Sequence, residues 1–149
     1  MNTKLSMKSS FIASCGMNCG ICRAYLREKK KCPGCRKSNE NKSFSCVNCK
    51  IKNCNELNKN NLKFCFKCKK FPCERIKHLD KRYRTKYNMS MIENLKNIKK
   101  FGLREFVKNE KIRWTCPHCG GTICVHRGYC NSCGKINIKL TGVKVKFFR

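Results

Sequence analysis

Six pairs of cysteines spaced C-x-x-C run through this 149-residue chain: Cys19/Cys22, Cys32/Cys35, Cys46/Cys49, Cys65/Cys68, Cys116/Cys119 and Cys130/Cys133. Two intervening residues let the backbone turn until both sulfurs reach one ion, so the spacing points to metal ligation. Cys15, Cys54 and Cys73 add single thiols, and Cys124 falls between the last two pairs. The hydrophobic fraction of 40% includes all 16 cysteines, which leaves few ordinary apolar residues for a large core. Metal, disulfides or a partner must supply the missing stabilisation. The length also excludes a barrel of about 250 residues, so any chemistry has to fit a small scaffold.

Metal is favoured over disulfides by the start of the chain. MNTKLSMKSSFIASC offers Phe11-Ile12-Ala13 as its contiguous apolar run, whereas a secretion leader needs about 7 to 15 apolar residues. Ile12-Ala13-Ser14-Cys15 has the form of a lipoprotein cleavage box but lacks that leader, and Cys15 reads instead as a ligand. Nothing approaches the roughly 18 apolar residues of a membrane span. The expectation is a cytoplasmic protein with reduced thiols and no membrane partner.

The sharpest motif is Cys116-Pro-His-Cys119-Gly120 with Cys130-Asn-Ser-Cys133-Gly134, a zinc-ribbon pattern. Glycine suits the turn after each second cysteine, where amides point back at the sulfurs. It predicts one closed structural zinc, with Cys124 buried as a small apolar residue and His118 unneeded as a ligand. His126-Arg127 reads as a contact surface. The first half holds eleven thiols, Cys15, Cys19, Cys22, Cys32, Cys35, Cys46, Cys49, Cys54, Cys65, Cys68 and Cys73, and eleven does not divide into fours. His78 would complete a third tetrahedral set. Two sites with three spare thiols fit equally well, and so does an iron–sulfur cluster. The total expected is about three to four zinc ions.

Periodicity places few regular elements. CRAYLREKKK, 22–31, predicts a helix with Cys22, Tyr25 and Leu26 near one face. A second should begin at Phe71-Pro72-Cys73-Glu74, with Pro72 in its first turn, and run through ERIKHLDKRYRTKY. Ser90-Met-Ile-Glu93 is a capping box, followed by Met91, Ile92, Leu95 and Ile98 at helical spacing, and Gly102 breaks that helix. Leu103, Phe106 and Val107 continue an apolar stripe toward Trp114. Alternation from Ile136 to Phe147 around Thr141-Gly142 predicts a β-hairpin. The organisation expected is a tail over 1–13, a cysteine-rich domain over 14–89, a helical connector over 90–113 and a ribbon with hairpin over 114–149. This amounts to a small metal-stabilised α+β fold, rich in loops.

The formal charge is +28, from 36 Lys and Arg against 8 Asp and Glu. About four all-thiolate sites would lower it to roughly +20. Such a surface attracts polyanions, RNA or DNA first. Candidate contacts are Arg36, Arg82, Arg84 and Arg127 with the aromatic rings of Tyr83, Tyr87 and Tyr129. Lysine and asparagine bias from an AT-rich genome explains part of the charge, which by itself identifies no base-reading residue. Catalysis lacks its usual parts, since the acidic residues form no obvious pair and no glycine-rich phosphate loop is present. The leading expectation is a non-catalytic nucleic-acid-binding module. The alternatives are an adaptor for an acidic protein partner and an iron–sulfur redox or metal-handling protein.

Cys15-Gly-Met-Asn-Cys19-Gly-Ile-Cys22, Cys32-Pro-Gly-Cys35-Arg36, Cys46-x2-Cys49-x4-Cys54 and Cys65-x2-Cys68-x2-Phe71-Pro72-Cys73-Glu74 together resemble domain-of-unknown-function family 3795. The trailing CPHCGG and CVHRGYCNSCG look like the ribbon attached to some bacterial and archaeal members. The resemblance implies a small cysteine-rich, zinc-binding prokaryotic protein and implies no activity.

Overall fold

Residues 7–136 are described in the computed structural model. Three short helices punctuate the cysteine-rich half: α1 (Arg23–Leu26), α2 (Phe44–Val47) and α3 (Asn55–Lys59). Three long ones follow: α4 (Glu74–Tyr87), α5 (Met91–Phe101) and α6 (Leu103–Trp114). Among the described residues there is no strand or sheet; extended pairing is confined to isolated antiparallel bridges such as Thr115 with Thr122 and Ile123 with Cys130. The expected α+β fold is therefore corrected to a helix-rich one. The chain after α6 reverses at Gly120, Gly128 and Gly134, at φ of +75°, +72° and +75°. Backbone committed to turns this often never stays extended long enough to build a ladder. The hairpin expected over 136–147 lies outside the described residues except for Ile136, which bridges to Tyr129.

Local chemistry explains where the helices stop and start. α1 is shorter than the predicted 22–31 because the chain folds back at once: the Cys32 N–H donates to the Ala24 carbonyl at 3.0 Å. The Arg27 guanidinium holds the reversal by donating to the Lys30 and Asn41 carbonyls. α4 begins at Glu74 with Cys73 as its cap, so Pro72 precedes the helix rather than occupying its first turn. Ser90 caps α5 as the sequence predicts, its Oγ accepting the Glu93 N–H at 3.1 Å, and Gly102, at φ +87°, separates α5 from α6.

One carboxylate ties α4 to α5. Asp80 is buried and accepts from the Ser90 hydroxyl, from the Ile92 N–H at 3.0 Å and from Arg84 Nε at 2.6 Å. Burial pushes its pKa up, but hydrogen bonds from Ser90, Ile92 and Arg84 outweigh that and hold it below the ordinary carboxylate value. A buried charge with this many donors is stabilised rather than stranded.

The core draws on distant parts of the chain. Ala13, Met17 and Ile21 from the first motif pack with Met89, Met91, Trp114, Ile123 and Val125. A second cluster joins Ile12, Leu57, Phe64, Ile76, Leu95, Ile98 and Phe106. Residues 11–13, read from the sequence as the end of a tail, are core instead, and Ile12 has no exposed surface. Trp114 is equally buried, and its indole N–H donates to Glu110 at 3.2 Å. No described helix is long and apolar enough to cross a membrane.

Candidate metal centres

The C-terminal knuckles bring four sulfurs together. Cys116, Cys119, Cys130 and Cys133 have sulfurs all within 4.8 Å of one another, with 3.8 Å between Cys116 and Cys133 and 3.5 Å between Cys119 and Cys130. A tetrahedral ion with metal–sulfur bonds of about 2.3 Å requires sulfurs about 3.8 Å apart, so the set fits one zinc-type ion. Backbone amides point inward: Gly121 N–H donates to Cys119 Sγ at 3.3 Å and Ser132 N–H to Cys130 Sγ at 3.3 Å. Burial pushes the Cys116 pKa up, but amides of His118 and Cys119 and the neighbouring thiols bring it down to about 7. Such donors favour thiolate, the form that binds metal. Gly121 must lack a side chain, because a Cβ there would lie 2.6 Å from Ser132 Oγ. Cys124 is fully buried, as expected, and stands outside this set. His118 is exposed.

The thiols of the first half are arranged differently. Cys15, Cys19, Cys22, Cys32, Cys35, Cys46 and Cys49 line one cavity of about 250 Å³. Among the described residues no second set of three or more ligands converges as the C-terminal four do. Cys35 N–H donates to Cys19 Sγ at 3.2 Å. The two thiols titrate as a pair: a hydrogen bond from Cys19 favours the Cys35 thiolate, with Lys42, Lys52 and Arg36 helping, and holds Cys19 protonated. Burial pushes Cys22 up to about 11 and raises Cys15 further.

The residues between these cysteines set the walls. Gly16, at φ +90°, lies against α5, where a Cβ would meet Leu95 Cγ and the Met91 carbonyl at 3.1 Å. Asn94 of α5 donates to the Gly16 carbonyl at 3.0 Å. Asn18 is wholly buried; its Oδ1 accepts the Gly20 N–H at 2.9 Å, and its amide reaches Glu110 of α6 at 3.5 Å. Burial raises the Glu110 pKa against the pull of Arg113 and the hydrogen bonds from Trp114 and Asn18. The non-cysteine letters of C-G-M-N-C-G-I-C thus specify close approach and packing, a role that spacing alone did not reveal.

A further group gathers beside the cavity. Cys65 is buried, and its pKa is pushed up to about 12 by burial and then by Cys73, Cys54, Cys68 and Cys49 nearby. Cys46 is exposed and lines the cavity, as Cys49 does. His78 is exposed on α4 and joins no described ligand set.

The candidate polyanion contacts divide into two kinds. Arg36 is a brace: its guanidinium donates to the Ile12 and Lys63 carbonyls at 2.7 Å each and stacks over Phe64. Arg84 pairs with Asp80. Tyr83 and Tyr87 are half-buried and pack with His126. Arg82, Arg127 and Tyr129 remain exposed.

His126 is half-buried and hydrogen-bonded on both ring nitrogens. Its Nδ1 accepts the Arg23 N–H at 3.1 Å, so the neutral ring carries its proton on Nε2 and donates it to the Tyr83 hydroxyl oxygen at 2.9 Å. Burial, with Arg23 and Arg82 nearby, lowers its pKa to about 4. With the Val125 N–H bonded to the Ile21 carbonyl at 3.0 Å, it seals the C-terminal knuckles onto the first motif.

These features define a cysteine-rich protein with a four-thiol site able to hold a metal ion. Residues 11–78 match the family model described as "Protein of unknown function (DUF3795)", in agreement with the resemblance of the cysteine motifs. Among curated proteins and solved structures, none matches the chain.

Proposed function

We propose that this chain is a non-catalytic, zinc-stabilised module that binds nucleic acid through a cationic and aromatic surface where α1, α4 and the C-terminal knuckles meet. The observation that supports this reading is that Arg82 lies over the Tyr83 ring, Tyr83 and Tyr87 pack against His126, the Arg23 N–H donates to the same imidazole, and Arg127 is next in the chain. Cations beside aromatic faces suit the phosphates and bases of a single strand. The four C-terminal thiols take one zinc as a closed structural site, because all four coordination positions are filled by protein.

Binding of a labelled single-stranded RNA, followed by anisotropy across salt concentrations, tests this. Affinity should fall steeply as counterions are released, and the double substitution Arg82→Glu with Arg127→Glu should weaken it by about tenfold or more. A binding constant that ignores salt, or capture of an acidic protein that survives nuclease treatment, overturns it.

A further inference from the structure

We propose that the thiol-lined cavity of the first half houses an iron–sulfur cluster, while the C-terminal four-thiol site takes a single zinc-type ion. The inference stands apart from nucleic-acid binding and rests on the contrast between two thiol arrangements in one chain.

Size argues first. A tetrahedral zinc brings its sulfurs to about 3.8 Å and leaves no space among them. The C-terminal four match that, at 3.5 and 3.8 Å. The first-half thiols line a cavity of about 250 Å³, many times the roughly 10–15 Å³ that one water-sized group needs. A polynuclear core fills such a space while bonding to thiols around it, and iron bridged by sulfide supplies one.

The walls argue second. Ala13, Met17, Ile51, Leu79 and Met91 present apolar surface to the cavity. They offer nothing to a hydrated ion but suit a core faced with sulfide. No Asp or Glu is among the lining residues, which disfavours the hard cations that need carboxylate oxygen. Arg36, Lys42, Lys52 and Arg82 also line it, opposing the net negative charge that sulfide and thiolate bring. The amide of Cys35 already donates to Cys19 Sγ, the kind of N–H···S bond that tunes such clusters. On loading, each ligating thiol releases its proton to solvent and bonds to iron. Ferrous and ferric iron and sulfide come from outside the chain, so the core forms with no change of oxidation state.

The test is the full chain produced and purified without oxygen, then reconstituted with equal amounts of ferrous and ferric iron and with sulfide, which supply a mixed-valence core without a separate oxidant. Iron and acid-labile sulfide should appear in about equal amounts, with absorbance near 400 nm and a paramagnetic signal after dithionite reduction. The pair Cys19→Ser and Cys35→Ser should abolish the colour and leave the zinc content near one ion; Cys130→Ser should do the reverse. The unsubstituted chain gives the decisive control, because it does not depend on a variant folding. If it remains colourless after reconstitution and carries zinc but no sulfide, the proposal fails.

Discussion

The two halves use the same C-x-x-C unit to opposite ends. At the C-terminus, two knuckles face each other and their sulfurs converge to the spacing of a single ion. In the first half, the pairs are spread around a void, held apart by helices and buried side chains between them. The difference teaches that cysteine spacing sets how two thiols share a turn. It does not set how turns meet. That second step is decided by what packs around each knuckle: tight turns set against Trp114, Ile123 and Val125 at the C-terminus, and α4, α5 and α6 in the first half.

The sharpest way to break this contrast is to remove one C-terminal thiol. Cys130→Ser should lower bound zinc by about one ion per chain and withdraw metal stabilisation on the order of 10 kcal/mol from the segment after α6. Elemental analysis with amide exchange checks it: protection should collapse over 115–136 and persist in α4. Uniform loss along the chain would mean that the two regions stand or fall together.

The helical backing of the cavity is tested by Asp80→Ala. The substitution leaves the Ser90 hydroxyl and the Ile92 N–H without their carboxylate and should cost about 2–3 kcal/mol, seen as a lower denaturation midpoint. Gly16→Ala acts on the first motif itself. It places a side chain at φ +90° against the Met91 carbonyl, and a cost of about 1–3 kcal/mol is expected, with no change in C-terminal zinc.

The joint between the regions has a pH signature. The folded-state pKa of His126 lies near 4, below the ordinary value of 6.5. Between those values the unfolded chain binds the additional proton, so stability rises with pH across the window. The contribution is full above about 6.5, declines as pH falls and is gone below about 4. Because the ring is partly exposed, we expect about 1–2 kcal/mol. Comparing denaturation at pH 5 and pH 7 should show this gap in the wild type and its narrowing in His126→Gln. An unchanged gap would remove His126 from the joint.

Several features were legible in advance because their causes are local. The Ser90 cap and the break at Gly102 depend on residues a few positions apart, and the C-terminal ligand set on two knuckles within one short segment, 11 and 17 positions between the facing sulfurs. What the sequence left out involves partners far along the chain. Arg36 braces the Ile12 and Lys63 carbonyls and His126 bonds Arg23 and Tyr83, pairings that no local pattern signals. Composition likewise made 11–13 look like tail, whereas Ile12 sits beneath Leu95 and Ile98. Asn18 and Glu110 meet across 92 positions, and no periodicity signals that pairing.

The sequence by itself determined that this chain is rich in thiols paired for metal, strongly basic and helical between about residues 74 and 113, since residue type, spacing and capping act over one or two turns. Tertiary structure alone decided that the first-half thiols line a shared cavity, and which cations remain at the surface. Those outcomes depend on how buried faces of separate helices and knuckles fit together, and packing of that kind links residues that share no local pattern.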